Sequence, residues 1–233
     1  MSLETHKTAL IVGAGSGLSA SLARLLTKQG LQVALAARDT AKLQPLVEET
    51  GAAAFAADTA DAGAVAGLFD AVQARFGDPA VVIYNASGRL RGPLVDLDPA
   101  GVERVLAVTA FGGFLVGQQA ARRMLPHGRG AILFTGASAS VKGYARSGPF
   151  AMGKFALRGL AQSMARELAP QGIHVAHFVI DGQIRDAAHQ GSPDRPDSTL
   201  DPDAIAQSYL AVLQQPRSAW TWEVELRPWL ETF

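Results

Sequence analysis

The chain has 233 residues, 48% of them hydrophobic and 18% charged, and its 21 basic residues balance its 21 acidic ones. This length suits one folded domain with a full core, and the even charge favours neither a nucleic-acid partner nor an anionic membrane surface. Because cysteine is absent, no disulfide framework, thiolate nucleophile or cysteine-bound metal is expected, and a cytoplasmic location is predicted. Residues 1–7 lack the apolar core of a signal peptide. No apolar run approaches the roughly 20 residues of a membrane span.

The stretch from Thr8 to Ser21 carries the first structural signal. Residues 9–12 are apolar and predict a buried strand, three glycines follow at once, and leucines at helical spacing predict a helix after them. Glycines let the backbone approach a pyrophosphate, and a helix N-terminus offers free N–H groups to an anion. A dinucleotide-binding turn is therefore predicted. Its contact residues are Gly13, Gly15, Ser16, Gly17 and Leu18.

The rest of the chain alternates strand patterns with helix patterns. Further strands are predicted at about 31–37, 52–56, 80–84, 131–135, 174–180 and 221–226. Further helices are predicted at about 39–49, 61–76, 101–124, 149–168 and 201–214. This alternation predicts an α/β fold over 1–233: one domain with a doubly wound parallel sheet of about seven strands and helices on both faces. Residues 182–203 are polar, proline-bearing and aperiodic, and we interpret them as a mobile segment over the site.

Two polar residues follow the second and third predicted strands. Arg38 lies where a carboxylate would bind the 2′-hydroxyl of NAD, and a guanidinium there suits the 2′-phosphate of NADP. NADP(H) is therefore predicted in preference to NAD(H), with a solvated surface arginine as the alternative. Asp58 is predicted either to accept a hydrogen bond from the adenine or to cap the next helix.

These motifs resemble those of the short-chain dehydrogenase/reductase family over nearly the whole chain. The stretch Gly13–Leu18 resembles the family's T-G-x-x-x-G-[IL]-G turn, with Val12 and Ser19 as departures at its ends. The stretch Asn85–Gly88 resembles the N-[NA]-A-G motif, with a serine substitution. The resemblance implies a Rossmann NAD(P)-binding domain, a small-molecule carbonyl or alcohol substrate, and a homodimer or homotetramer. It also implies that Asn85 steadies the central strands, and that the backbone of Ala86 and Ser87 borders the adenosine ribose.

The helix predicted at 149–168 resembles the family's active-site helix. In that family a tyrosine transfers the proton, and a lysine four residues later lowers the tyrosine pKa and holds the ribose hydroxyls. A serine polarises the carbonyl, and an asparagine supports a water beside the lysine. Lys154 matches the lysine, and Phe150 stands at the tyrosine position. Thr109 stands at the asparagine position, and Ser138 is one residue from the usual serine spacing.

Other candidates lie around these positions. Asp181 and Gly182 replace the proline–glycine that usually follows the sixth strand, where the nicotinamide amide or a substrate would pass. Arg89 and Arg91 are either ligands for an anionic substrate or solvated loop residues. The scattered histidines predict no metal site. The C-terminal tryptophans are predicted to pack at a subunit interface.

Three hypotheses about function remain open. The first is an NADP(H)-dependent oxidoreductase with a relocated acid. Tyr144 is the best substitute, and Ser138, Ser147 or a water on Lys154 are others. The second is a nucleotide-binding sensor or subunit without turnover, because the proton-transfer residues are altered while the cofactor motifs remain. The third is an isomerase or lyase that holds NADP structurally.

Overall fold

The structure is a computed structural model that describes residues 7–186, 194–195 and 197–230. The strands are β1 Thr8–Val12, β2 Gln32–Ala37, β3 Ala53–Ala56, β4 Val81–Tyr84, β5 Gly130–Thr135, β6 Ile173–Ile180 and β7 Glu223–Leu226. The α-helices are α1 Leu18–Lys28, α2 Gln44–Thr50, α3 Ala62–Phe76, α4 Pro99–Leu106, α5 Gly112–Met124, α6 Gly148–Leu168 and α7 Pro202–Leu213. The seven strands form one parallel sheet in the order β3-β2-β1-β4-β5-β6-β7.

Helices cover both faces of this sheet, and the predicted fold class is confirmed. One core layer joins Leu22 of α1, Leu35 of β2 and Tyr209 of α7. The other joins Phe69 of α3 and Leu157 of α6 under the opposite face. Because the order reverses between β1 and β4, a crevice opens at the carboxyl ends of the central strands, where ligands of such sheets bind.

Aspartate side chains begin several of the helices. Asp61 accepts a hydrogen bond from the Ala64 amide at 2.7 Å, which confirms the predicted start of α3. The predicted helix at 39–49 is instead a 3₁₀ turn over 41–43 followed by α2, and Gly51 ends α2 in the left-handed conformation at φ 71°. These caps satisfy backbone groups that a helix end otherwise leaves unpaired.

The long helix predicted at 101–124 is interrupted, and the prediction is wrong in its middle. A π-helical turn over Ala107–Phe111 separates α4 from α5. Inside this turn the Tyr84 hydroxyl, which lies on the neighbouring strand, donates a hydrogen bond to the Val108 carbonyl. Because that carbonyl has a partner outside the helix, a wider backbone turn is tolerated there.

The helical run Pro99–His127 is, among the described residues, long and apolar enough to cross a membrane by length and composition, with a mean hydropathy of 1.4. This result differs from the prediction that no apolar run approaches the length of a membrane span. The run packs against α3 and α6, and its Val116 and Ala120 belong to the core beneath the sheet. A core-covering helix satisfies the same criteria, so this run gives only weak support for a span.

The C-terminal tryptophans have different surroundings. The Trp220 ring stacks on His174 with centroids 4.6 Å apart, and Arg158 lies over the Trp222 ring. These two side chains therefore have partners within the chain and are partly exposed, and their packing at a subunit interface stays a prediction. Trp229 is 77% exposed.

Candidate functional site

The glycine turn is shaped by a close approach to the neighbouring strand end. Gly13 has φ +84°, and a Cβ there would lie 2.3 Å from the Ala86 amide nitrogen, so only glycine fits. At Gly15 and Gly17 an added Cβ would meet nothing within 4 Å. The N-terminus of α1 has no side-chain cap. Open space beside uncapped N–H groups fits a dinucleotide pyrophosphate.

A side-chain network ties this turn to the end of β4. The Asn85 amide donates to the Ser19 hydroxyl at 2.7 Å, and that hydroxyl donates to the Gly13 carbonyl at 3.2 Å. The Asn85 backbone N–H also donates to the Val12 carbonyl at 2.8 Å. Ser19, a departure from the family motif that the sequence reading did not treat as functional, is therefore the link between Asn85 and the turn.

A cleft of about 1110 Å³ opens beside this turn at the carboxyl ends of the strands. It brings together most of the predicted residues of the catalytic side and part of the cofactor side. Those in its lining are Gly17, Leu18, Asn85, Ser87, Ser138, Tyr144, Phe150, Lys154, Asp181 and Gly182. Those outside its lining are Gly13, Gly15, Ser16, Arg38, Asp58, Ala86 and Thr109.

Lys154 is a buried cation in the cleft wall. Its side chain is held by a 2.6 Å hydrogen bond that Nζ donates to the Thr135 carbonyl at the end of β5. Burial, and secondarily the positive charge of Arg89, lower the pKa of Lys154 to about 7. The ammonium can therefore give up a proton near neutral pH.

Phe150 lies one helical turn before Lys154, with Nζ 5.9 Å from the ring centroid. The Arg89 guanidinium lies over the same ring at 4.8 Å, in cation–π geometry. Tyr144 also lines the cleft and is 48% exposed. The phenyl ring thus has two cations within about 6 Å of its centroid and has no proton to transfer.

Thr109 is fully buried in the π-helical turn behind the cleft. Its hydroxyl accepts a hydrogen bond from the Gly88 amide at 2.9 Å. A Cβ on Gly153 would lie 2.8 Å from the Thr109 Cβ, so α6 packs closely on the turn. The contacts of Thr109 join the β4 loop to the helix that carries Lys154.

Ser138 lies in the cleft lining, and a buried network that sequence reasoning missed lies beneath its loop. The Ser140 hydroxyl accepts from the Ala137 amide at 3.1 Å and lies 3.3 Å from His177 Nε2. His177 Nδ1 lies 3.1 Å from the Glu223 carboxylate. Because an ionised carboxylate only accepts, Nδ1 carries the proton, and Nε2 accepts from the Ser140 hydroxyl.

This network ends in an ion pair and holds a neutral histidine. Arg158 donates two hydrogen bonds to Glu223, at 2.6 and 2.7 Å. Burial lowers the pKa of His177 to about 4, although Glu223 acts in the opposite direction. The sequence indicated only that His177 lies on a packed strand. Its hydrogen-bond partners could not be predicted, because they come from β7 and from the loop after β5.

Asp181 is buried at the end of β6, and its charge is compensated. Its carboxylate lies 3.2 Å from Lys142 Nζ and 3.6 Å from an Arg227 nitrogen. The hydrogen bond that Lys142 donates to Asp181 raises the pKa of Lys142. Beyond Asp181, the segment predicted at 182–203 is described only in part: 187–193 and 196 lie outside the described residues. Ile184 and Leu200 form a parallel bridge there.

Arg38 and Asp58 follow the carboxyl ends of β2 and β3. Arg38 is exposed directly after β2, and the Gly13 and Ala14 amides donate to the Ala36 carbonyl two residues earlier. These hydrogen bonds therefore bring the glycine turn close to the end of β2, which Arg38 follows. Asp58 is exposed and accepts from the Ala60 amide at 3.0 Å in the turn before α3. The residue that caps α3 is Asp61, so the predicted capping role of Asp58 is wrong.

Comparison with known proteins defines the family. Residues 7–187 match the short chain dehydrogenase family, and the chain belongs to it. The chain is 35% identical over 173 residues to (+)-borneol dehydrogenase 1 of Salvia officinalis, covering 72% of this chain and 66% of the relative. Momilactone A synthase of Oryza sativa subsp. japonica is 36% identical over 176 residues, covering 72% and 64%. These alignments thus span just under two thirds of the relatives.

Solved structures show the same fold over nearly the whole chain. A short-chain dehydrogenase from Rhodopseudomonas palustris superimposes with a TM-score of 0.82 at 36% identity, covering 96% of this chain and 99% of that one. A metagenomic short-chain oxidoreductase in complex with NADP gives a TM-score of 0.83 at 28% identity, covering 96% and 98%. The family is one of oxidoreductases that bind nicotinamide cofactors.

Proposed function

We propose that this protein is an NADP(H)-dependent oxidoreductase acting on a carbonyl or alcohol group of a small molecule, with Lys154 in place of the usual tyrosine as the proton-transferring group. The observation that carries the proposal is the buried Lys154 in the wall of the cleft beside the glycine turn. Phe150 stands four residues before Lys154, at the usual tyrosine position. Because a phenyl ring does not titrate, the Lys154 ammonium is the titratable group on α6 that lies nearest to this position.

The cofactor side supports the proposal through its shape and charge. The open face of Gly15 and Gly17 and the α1 N-terminus would hold the pyrophosphate, and Arg38 would hold the 2′-phosphate of NADP(H). When bound, the nicotinamide supplies or accepts the hydride. One family structure similar to this chain holds NADP.

The residues of this chain would handle the proton and the developing charge. The Thr135 carbonyl fixes Lys154 Nζ at the cleft wall, and a carbonyl oxygen within reach of that ammonium takes up its proton directly or through one water. Ser138 and Tyr144 line the same cleft and supply hydroxyl donors that can polarise the oxygen. Asp181, already paired with two cations, is then a structural acid rather than the proton source.

A cofactor titration tests the first half of the proposal. We expect NADPH to bind with micromolar affinity and more tightly than NADH, measured by calorimetry and by quenching of tryptophan fluorescence. Arg38→Asp should weaken NADPH binding by about tenfold or more while leaving NADH nearly unchanged, because only NADPH carries the 2′-phosphate. Arg122→Asp, an exposed arginine on α5, is the matched control. Equal losses for both cofactors would remove the phosphate assignment.

A second candidate function is an NADP(H)-binding sensor or subunit without turnover. It is favoured by Phe150, which cannot transfer a proton and is covered by the Arg89 guanidinium. Tight NADPH binding without NADPH oxidation across a panel of aldehydes and ketones would favour it. The absence of cysteine favours a cytoplasmic location for either candidate, and cell fractionation would test that location.

A further inference from the structure

Three arginines from two neighbouring loops line the cleft. Arg89 and Arg91 follow β4, and Arg146 lies in the loop that leads into α6. All three line the cleft and expose their side chains to solvent. Arg146 was not singled out from the sequence, because nothing in the chain order indicates that its loop meets the loop after β4.

The two loops that carry these arginines are joined to each other. The Gly92 amide donates to the Arg146 carbonyl at 3.0 Å. Arg146 has φ 62°, a left-handed conformation that is uncommon for residues other than glycine. This backbone hydrogen bond joins the loop that carries Arg146 to the loop that carries Arg89 and Arg91, and all three residues line the same cleft.

Two charged neighbours in the cleft, Asp181 and Arg185, are already in ion pairs, whereas in the described part of the chain these three arginines are not. Arg185 forms an ion pair with Asp201, and Asp181 is compensated by Lys142 and Arg227. Within the described chain, Arg89, Arg91 and Arg146 have no ion pair or side-chain hydrogen bond to a carboxylate. A wall with this surplus of positive charge attracts an anion, and guanidinium forks match carboxylate and phosphate groups.

The position of Arg89 connects this charge to the site of chemistry. Its guanidinium lies 4.8 Å from the centroid of the Phe150 ring, one helical turn from Lys154. The cleft volume of about 1110 Å³ exceeds the roughly 300–1,000 Å³ of a typical single-ligand pocket, which leaves room for a substrate beside a dinucleotide. Arg89 contacts Phe150 directly, and Arg38 is not part of the cleft lining.

We propose that Arg89, Arg91 and Arg146 form a substrate anion site, and that the substrate is a carbonyl or alcohol compound carrying a carboxylate or phosphate group. The proposal rests on the proposed oxidoreductase function, since it specifies the substrate class of that same cleft. It also predicts binding that weakens with salt, because the arginines are solvent-exposed.

Binding of unreactive probes tests the site directly. Protein saturated with NADP⁺ would be titrated with benzoate, phenyl phosphate and neutral benzamide by calorimetry at low and high NaCl. We expect at least one anion to bind more tightly than benzamide and to weaken with salt. The tighter anion identifies whether the natural group is a carboxylate or a phosphate. Equal affinity for all three probes, or no anion binding, overturns the proposal.

Two variants locate the bound anion. Arg146→Gly removes a guanidinium at a position whose backbone suits glycine, and Arg91→Gln removes another from an exposed loop. Each should raise the dissociation constant of the anion by about three- to tenfold and leave benzamide unchanged. Arg122→Gln on α5 removes the same charge outside the cleft and should change nothing. Equal effects from Arg122→Gln and the cleft variants would point to non-specific attraction and contradict the site.

A reaction assay separates failure of this site from failure of the proposed function. Reduction of benzoylformate and of its neutral methyl ester by NADPH would be compared in the wild type and in Arg146→Gly. If both compounds are reduced alike in both proteins, the oxidoreductase stands and the anion site is overturned. If neither is reduced while benzoate binding still depends on Arg91 and Arg146, the anion site stands and the oxidoreductase proposal fails.

Discussion

Phe150 and Lys154 show how one side chain changes the task of its neighbour. Among the described residues, the buried Lys154 ammonium donates a hydrogen bond to the Thr135 carbonyl and has no carboxylate partner, and the Arg89 charge acts against its protonation. Beside a tyrosine such a lysine would serve to lower the phenol pKa. Beside a phenyl ring it has no phenol to act on, and in the proposed function its own proton is the one transferred.

Restoring the phenol should raise activity if the rest of the cleft is competent. Phe150→Tyr is expected to increase the kcat of carbonyl reduction by about 10²-fold, the lower end of what a positioned general acid contributes. The measurement is steady-state NADPH oxidation with a neutral ketone. Phe155→Tyr, about half exposed on the same helix and outside the cleft lining, is the control. An unchanged rate in Phe150→Tyr would mean that substrate or nicotinamide is not held productively.

The pH profile of the wild type should report Lys154 itself. Its pKa of about 7 means that the ammonium is present below pH 7 and is lost as the pH rises above it. The reduction rate should therefore be level below pH 7 and fall by about tenfold per pH unit above it. Arg89→Gln removes a positive charge that disfavours protonation, so the fall should move to higher pH.

This profile needs a neutral substrate and a control variant. Methyl benzoylformate is neutral, so the arginines of the proposed anion site do not affect its binding through charge. Arg122→Gln, which removes a distant positive charge, should leave the midpoint where the wild type has it. A rate that is flat from pH 6 to 9, or an unmoved midpoint in Arg89→Gln, would exclude Lys154 as the proton donor.

At the residue scale, the sequence located the residues whose signal is local. Lys154 and Asn85 were found from short motifs, and both line the cleft. The role of Ser19 was missed, because it depends on a partner 66 positions away in sequence. Arg146 was missed for the same reason, because its place in the cleft depends on the contact between its loop and the loop after β4. Long-range contacts of this kind leave no spacing pattern to read.

At the scale of elements, the β6–β7 pair carries the buried His177–Glu223 contact. This contact also explains why the short edge strand β7 can carry a polar residue that faces the sheet's core layer. Glu223 is partly buried but is held by Arg158 and His177, so its charge is satisfied inside the layer. Burial raises the pKa of Glu223, but Arg158 and His177 together outweigh that effect and leave it lowered. The pair therefore favours neutral histidine beside ionised glutamate.

Stability should fall in acid because His177 is buried in its neutral form. Its folded pKa of about 4 lies below its ordinary 6.5, so the unfolded chain binds more protons between these values. The free energy of unfolding should thus drop as pH falls from 6.5 to about 4, by up to about 1.4 kcal/mol per pH unit. Glu223, whose pKa is also lowered, acts in the same direction.

Urea unfolding at several pH values from 4.5 to 7.5 measures this dependence. His177→Gln should flatten the slope and, because Glu223 and Ser140 lose a partner, lower stability at pH 7 by about 1–3 kcal/mol. His127→Gln, which removes an exposed histidine, is the control and should keep the wild-type slope. A wild-type slope retained in His177→Gln would assign the acid sensitivity to other groups.

Most elements were predictable because their signals are periodic. The seven strands fall within two residues of the predicted ranges, since most of them are buried apolar runs and β7 alternates apolar with polar residues. The π-helical turn was not predictable. It depends on the Tyr84–Val108 hydrogen bond and on Gly112, where a Cβ would lie 2.5 Å from the Tyr84 hydroxyl.

At the scale of the whole molecule, two neighbouring helices leave aromatic side chains uncovered. Phe111 and Phe114 stack at 6.1 Å between centroids, and they remain 49% and 40% exposed. On α6, which packs against α5 and the π-helical turn, Met152 and Phe155 are 53% and 45% exposed. Apolar surface of this kind on adjacent helices is typical of a protein interface.

The predicted homo-oligomer should therefore form through these helices. Sedimentation should give two or four chain masses for the wild type. Phe114→Ser with Phe155→Ser should shift the mass toward one chain, because burying each ring contributes about 1.5–3 kcal/mol. Leu94→Ser with Val95→Ser, at residues 82% and 90% exposed in the loop after β4, is the matched control and should keep the oligomer. A wild type that sediments as one chain, or a Phe114/Phe155 variant with unchanged mass, would contradict this interface.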